Sequence, residues 1–172
     1  MLSRYYLGMP SSESAVSVLL ASPFAEDREA FLLAFKEYNL DWTLLPACDC
    51  REAWVVLHQR DVDVVIADAG SGDGFEWREL MDEITAMRTH QPVIVCSRTA
   101  DESLWAEVLN LGGFDVLAKP FDAEELVRVI AMAVRHGRQM RAATAKYLGD
   151  WAPPGAGSVR LLPVRDRAHR VA

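Results

Sequence analysis

Five short apolar runs separated by amphipathic stretches constrain this chain of 172 residues more than any other feature. The runs are Ala15–Ala21, Trp42–Ala47, Val62–Ala67, Pro92–Cys96 and Phe114–Ala118. They are rich in Val, Ile and Leu and mostly do not alternate with polar residues, the pattern of strands covered on both faces. In Trp42–Ala47, Thr43 and Pro46 point to an edge position. The intervening stretches have helical spacing. Ala25–Asn39 is expected to turn Phe31, Leu32 and Phe35 inward, and Arg51–Arg60 stacks Ala53, Val56 and Leu57. Phe75–Thr89 stacks Leu80, Met81, Ile84 and Met87. Asp101–Leu111 starts at a cap-like Thr99 or Asp101 and stops before Gly112-Gly113. Asp122 caps the last helix, with Leu126, Val127, Ile130 and Val134 inward. Parallel strands need crossover helices, and such crossovers are right-handed. The fold class is therefore α/β, a (βα)5 doubly wound, parallel five-stranded sheet.

Residues 15–138 carry this unit. Residues 1–14 form a short Ser-rich arm, expected to be flexible. Residues 139–172 extend the last helix through Gln139–Lys146. They then pass into a Gly/Pro-rich linker from Gly149 and a tail, Val159–Ala172, expected to be disordered. Charge follows the same division. Residues 1–133 hold 23 Asp and Glu against 10 Lys and Arg, whereas residues 134–172 hold 2 against 8. The basic tail lacks aromatic interleaving and any helix-turn-helix or zinc-finger pattern, so DNA binding is not expected. No apolar run is long enough to span a bilayer and no signal-peptide pattern is found, so the expected location is the cytoplasm. The three cysteines and four histidines have no ligand or catalytic spacing.

In an open parallel sheet, ligand chemistry gathers beyond the carboxyl ends of the strands. There the sequence places Ser22-Pro23 after the first run, Asp68 after the third, Ser97 after the fourth and Lys119-Pro120 after the fifth. A carboxylate, a hydroxyl and an ammonium on one rim fit a phosphoryl site, with Asp68 as acceptor and Ser97 and Lys119 as stabilisers.

These residues resemble the receiver domains of two-component response regulators, over about Ala15 to Arg138. Val-Val-Ile-Ala-Asp68 is similar to the family's third strand with its phospho-accepting Asp, and Asp73-Gly74 to the Asp-Gly that opens the next helix. Pro92-Val-Ile-Val-Cys-Ser97 resembles the fourth strand with its switch hydroxyl. Gly113-Phe-Asp-Val-Leu-Ala-Lys119-Pro120-Phe121 resembles the Lys-Pro signature, whose peptide is usually cis. The resemblance implies a flavodoxin-like receiver fold and a stand-alone phosphorelay module rather than an enzyme. A histidine kinase or phosphotransfer protein would be the donor to Asp68. The output would be a downstream protein or a homodimer bound through the face of the fourth helix, fifth strand and fifth helix. Trp105, on the fourth helix, is the interface candidate.

The departures bear on the metal. The family closes its first strand with an acidic pair that helps hold Mg2+, and here Ser22 and Pro23 stand instead. Asp68 and the Gly70 carbonyl remain as ligands, with Asp73 and Arg98 as candidates for compensation and Ser22 as a neutral donor. Glu26 and Asp27 are expected to point away. Val116 takes the place of the family's switch aromatic. The alternative reading is a phosphorylation-independent pseudo-receiver acting as a protein-binding module. A small α/β enzyme is disfavoured by the lack of any His, Cys or nucleotide-loop motif.

Overall fold

Strands form where the apolar runs lie, because β-rich segments without polar alternation are stable only when helices cover both their faces. The computed structural model describes residues 15–70, 76–87 and 89–150. In chain order the elements are β1 (Val16–Ala21), α1 (Ala25–Glu37), β2 (Trp42–Ala47), α2 (Cys50–Gln59), β3 (Val64–Asp68), α3 (Trp77–Met87), β4 (Val93–Ser97), α4 (Glu102–Asn110), β5 (Asp115–Ala118) and α5 (Ala123–Asp150). All pairings are parallel and the order is β2-β1-β3-β4-β5, with β2 at an edge as expected. The register pairs Ala21 with Ala67, Asp68 with Cys96 and Ser97 with Ala118, so the carboxyl ends of β1, β3, β4 and β5 form one rim.

The sheet separates two apolar cores. On one face, Phe31, Ala34 and Phe35 of α1 and Leu126, Val127, Ile130 and Val134 of α5 pack on Val18, Leu20, Ile66 and Ile94. On the other, Ala53 and Leu57 of α2, Trp77, Leu80 and Ile84 of α3, and Val108 of α4 pack on Leu19, Val65 and Val95. Val116 is buried in this second core. Each fully buried large apolar side chain contributes roughly 1.5–3 kcal/mol relative to exposure. Leu32, expected inward, is 51% exposed. The inner stripe of α1 is instead Asp27, Phe31, Ala34 and Phe35, which are spaced to share one helical face. That rotation of the helix decides the site below.

Helix ends follow local chemistry. Asp49, Asp101 and Asp122 accept from the backbone N–H groups of Glu52, Leu104 and Glu125 at 2.7, 2.9 and 2.8 Å. Gly112, with φ of +87°, takes the left-handed turn after α4. α5 runs on to Asp150, past the Gly149 at which the linker was expected. Its extension is anchored by Asp63, which accepts from Arg138 and Arg141 at 3.1 Å while also taking the Ser17 N–H. The N-terminal arm, Asp73-Gly74 and the basic tail lie outside the described residues. Among the described residues, no helix is long and apolar enough to cross a membrane.

Candidate functional site

Asp68 is the last residue of β3 and is 2% exposed. Its Oδ1 accepts the Gly70 N–H at 2.6 Å, its Oδ2 is ion-paired with the Lys119 ammonium, and Cys96 Sγ stands 3.9 Å from Oδ2. Lys119 follows β5 and reaches across the end of β4 to make this pair. The same ammonium is also ion-paired with Oδ2 of Asp27. A charged group is tolerated away from water only when paired and hydrogen-bonded, and this cluster meets that condition. Both partners of the Asp27–Lys119 pair have 5% side-chain exposure.

Asp27 corrects the sequence reading, which turned it outward with Glu26. It lies one turn before Phe31 on the buried stripe of α1, so packing of Phe31 carries the carboxylate under the rim. Ser22, itself buried, donates to Asp27 Oδ2 at 2.5 Å, and its oxygen accepts the Phe24 N–H at 3.2 Å. The hydroxyl at the end of β1 thus holds a carboxylate delivered from the following helix. Spacing alone contained this signal, since Asp27, Phe31, Ala34 and Phe35 fall at i, i+4, i+7 and i+8. Placing Leu32 on the inner face obscured it.

Burial works to depress the Lys119 pKa, but the hydrogen bonds to Asp27 and Asp68 outweigh it and hold the value above the ordinary 10.5. Phe24 and Phe121 add aromatic walls, with their ring centroids 4.8 and 5.9 Å from Lys119 Nζ. Lys119-Pro120 is cis.

Arg98 does not reach the carboxylates. It pairs with Glu26 at 3.2 Å and lies over the Phe24 ring at 5.0 Å, both at the exposed rim. The counter-charge that meets Asp68 is the Lys119 ammonium instead. Ser97 ends β4, where its Oγ accepts the Thr99 N–H at 3.1 Å. Trp105 is 39% exposed on α4, near the likewise exposed Leu109 and Leu111.

Among the described residues, the donor set does not fit Mg2+. Such an ion takes near-octahedral oxygen ligands, usually including carboxylates. Here one oxygen of each carboxylate holds the same ammonium, the Ser22 hydroxyl proton is directed to Asp27, and Pro23 has no side-chain donor. Among the described residues no group of three His, Cys, Asp or Glu is placed to hold a metal.

A five-stranded parallel sheet of this order, with an Asp and a Lys-Pro at its carboxyl rim, defines a receiver-type signalling module. The family model for the response regulator receiver domain matches residues 25–131, and the chain belongs to that family. Among solved structures, the signal receiver domain of an HD domain-containing protein from Pseudomonas fluorescens Pf-5 is 24% identical, with a TM-score of 0.65. The match covers 73% of this chain and 99% of that one. The signal receiver domain of a putative Luxo repressor protein from Vibrio parahaemolyticus is 17% identical with a TM-score of 0.68, over 76% and 98% of the two chains. NtrX from Brucella abortus is 20% identical with a TM-score of 0.67, over 77% of this chain and 30% of that one. No curated protein matches the chain.

Proposed function

We propose that this chain acts in two-component signalling as a phosphorylation-independent receiver, a module that binds a protein partner without a phosphoryl switch at Asp68. The observation that carries the reading is the closed Asp27–Lys119–Asp68 cluster, built where Ser22 and Pro23 replace an acidic pair. Phosphoryl transfer to a carboxylate relies on cations that neutralise charge on the transferring group. In this cluster the one buried ammonium is already shared between two carboxylates. The partner surface is the face of α4, β5 and α5, where Trp105, Leu109 and Leu111 expose apolar area. Its occupant is a downstream protein or a second copy, in the cytoplasm.

One observation favours a second reading, in which a histidine kinase or phosphotransfer protein phosphorylates Asp68. Asp68, Ser97 and Lys119 stand at the ends of three adjacent strands, as acceptor and stabilisers require. Incubation of the full chain with Mg2+ and acetyl phosphate separates the two. The first reading expects no Asp68-dependent gain of one phosphoryl mass and no response to beryllofluoride. A gain abolished by Asp68→Ala replaces it with the second.

A further inference from the structure

Lys119 meets two carboxylates that both come from the N-terminal half of the chain, and Asp27 is held in place by Ser22. We propose that the Lys119 ammonium is the resident cation of this site and that Asp27 is the residue that positions it, so that a divalent ion binds only once the lysine charge is removed. The inference rests on the phosphorylation-independent reading and gives its site a physical content.

Three observations support it. The ammonium bonds Oδ2 of Asp27 and Oδ2 of Asp68 at once, so both carboxylates already share one cation. The pair is dry, with side-chain exposures of 5%, 5% and 2% for Lys119, Asp27 and Asp68, so bulk cations do not screen it. No buried side-chain nitrogen or oxygen among the described residues is left without a partner, so the cluster is complete as it stands. Removing the ammonium alone leaves two buried carboxylates side by side with the Ser22 hydroxyl and the Gly70 backbone nearby. Like charges brought together in this way demand a counter-ion or a proton.

The test is a Mn2+ titration of the full chain, read as paramagnetic broadening of the Ser22 and Gly70 amide resonances. Wild type is expected to stay sharp at millimolar Mn2+. Lys119→Met is expected to bind about tenfold more tightly or better and to broaden those resonances. Adding Asp27→Asn to Lys119→Met is expected to lose that gain. Lys119→Arg, which keeps a cation, is expected to gain nothing. A purely structural role for Asp27 would not move this readout.

Broadening of wild type equal to that of Lys119→Met overturns the inference, as does a folded Lys119→Met chain that stays sharp. If Lys119→Met does not fold, Lys119→Gln takes its place, and the wild-type titration is decisive by itself: silence supports, local broadening overturns. The phosphorylation-independent reading fails on a different signal, the Asp68-dependent mass gain, so the two failures are distinguishable.

Discussion

Asp27 and Lys119 stand 92 residues apart in the sequence and meet in a buried ion pair at the carboxyl rim of the sheet. The pair ties the first helix to the end of the last strand. Desolvation opposes such a contact, and it persists because Ser22 and Asp68 satisfy the remaining hydrogen-bonding capacity. Breaking it from one side should cost more than removing both partners.

Lys119→Met leaves Asp27 and Asp68 buried together and is expected to destabilise the fold by about 3–5 kcal/mol. Asp27→Ala leaves Lys119 still paired with Asp68 and should cost about 2 kcal/mol. The double variant is expected to lose less than the sum of the two, and urea denaturation of all four chains measures the coupling.

Alkaline pH should reveal the same cluster. The folded-state pKa of Lys119 is raised above 10.5 because its carboxylate partners outweigh burial. Its stabilisation is therefore complete below the unfolded value and lost as pH rises through the folded one. The difference in urea midpoint between wild type and Lys119→Met is expected to be constant from neutral pH to about 10 and to shrink above it.

The thiols should react unequally. Burial pushes the Cys50 thiol up to about 12 and raises that of Cys96 as well, and both side chains are fully buried. Cys48 is exposed. Iodoacetamide at neutral pH is expected to add one group per folded chain, at Cys48, and three after denaturation, by intact mass.

Gly113 should not tolerate a side chain. A Cβ there would lie 2.4 Å from Val108 Cγ1 and 2.9 Å from the Val108 carbonyl oxygen. Gly113→Ala is expected to cost about 1–3 kcal/mol by overpacking, measured as a lowered urea midpoint.

Asp63→Asn should loosen the α5 extension. It weakens the contacts to Arg138 and Arg141 while leaving the α5 core residues Leu126 to Val134 packed. Hydrogen exchange is expected to quicken in residues 139–147 and to stay slow in 126–134.

The fold was legible because its signals are local and repeated. Unalternating Val and Ile in β3 and β4, the Asp101 and Asp122 caps, and the glycine turn at Gly112 each specify their own element. Asp68, Ser97 and Lys119 were legible at the rim because strand ends in a parallel sheet converge. Asp27 shares the spacing of Phe31, Ala34 and Phe35, but Leu32 offered a competing inner face, and the choice between the two is decided by Phe31 and Phe35 packing against α5 and the sheet. Arg98 was misplaced for a related reason. A long exposed side chain goes to the nearest counter-charge, and Glu26 supplies one at the rim.

The order in which the cluster's members are synthesised has a consequence for the growing polypeptide. Asp27 and Asp68 leave the ribosome well before Lys119, so a nascent chain that ends before β5 has both acids and no ammonium to place between them. Closing the rim at that stage would bury two anions without a counter-charge, a cost that opposes closure until the last strand arrives. Emergence of Lys119, rather than of any part of α1 itself, is thus the step expected to let the first helix settle.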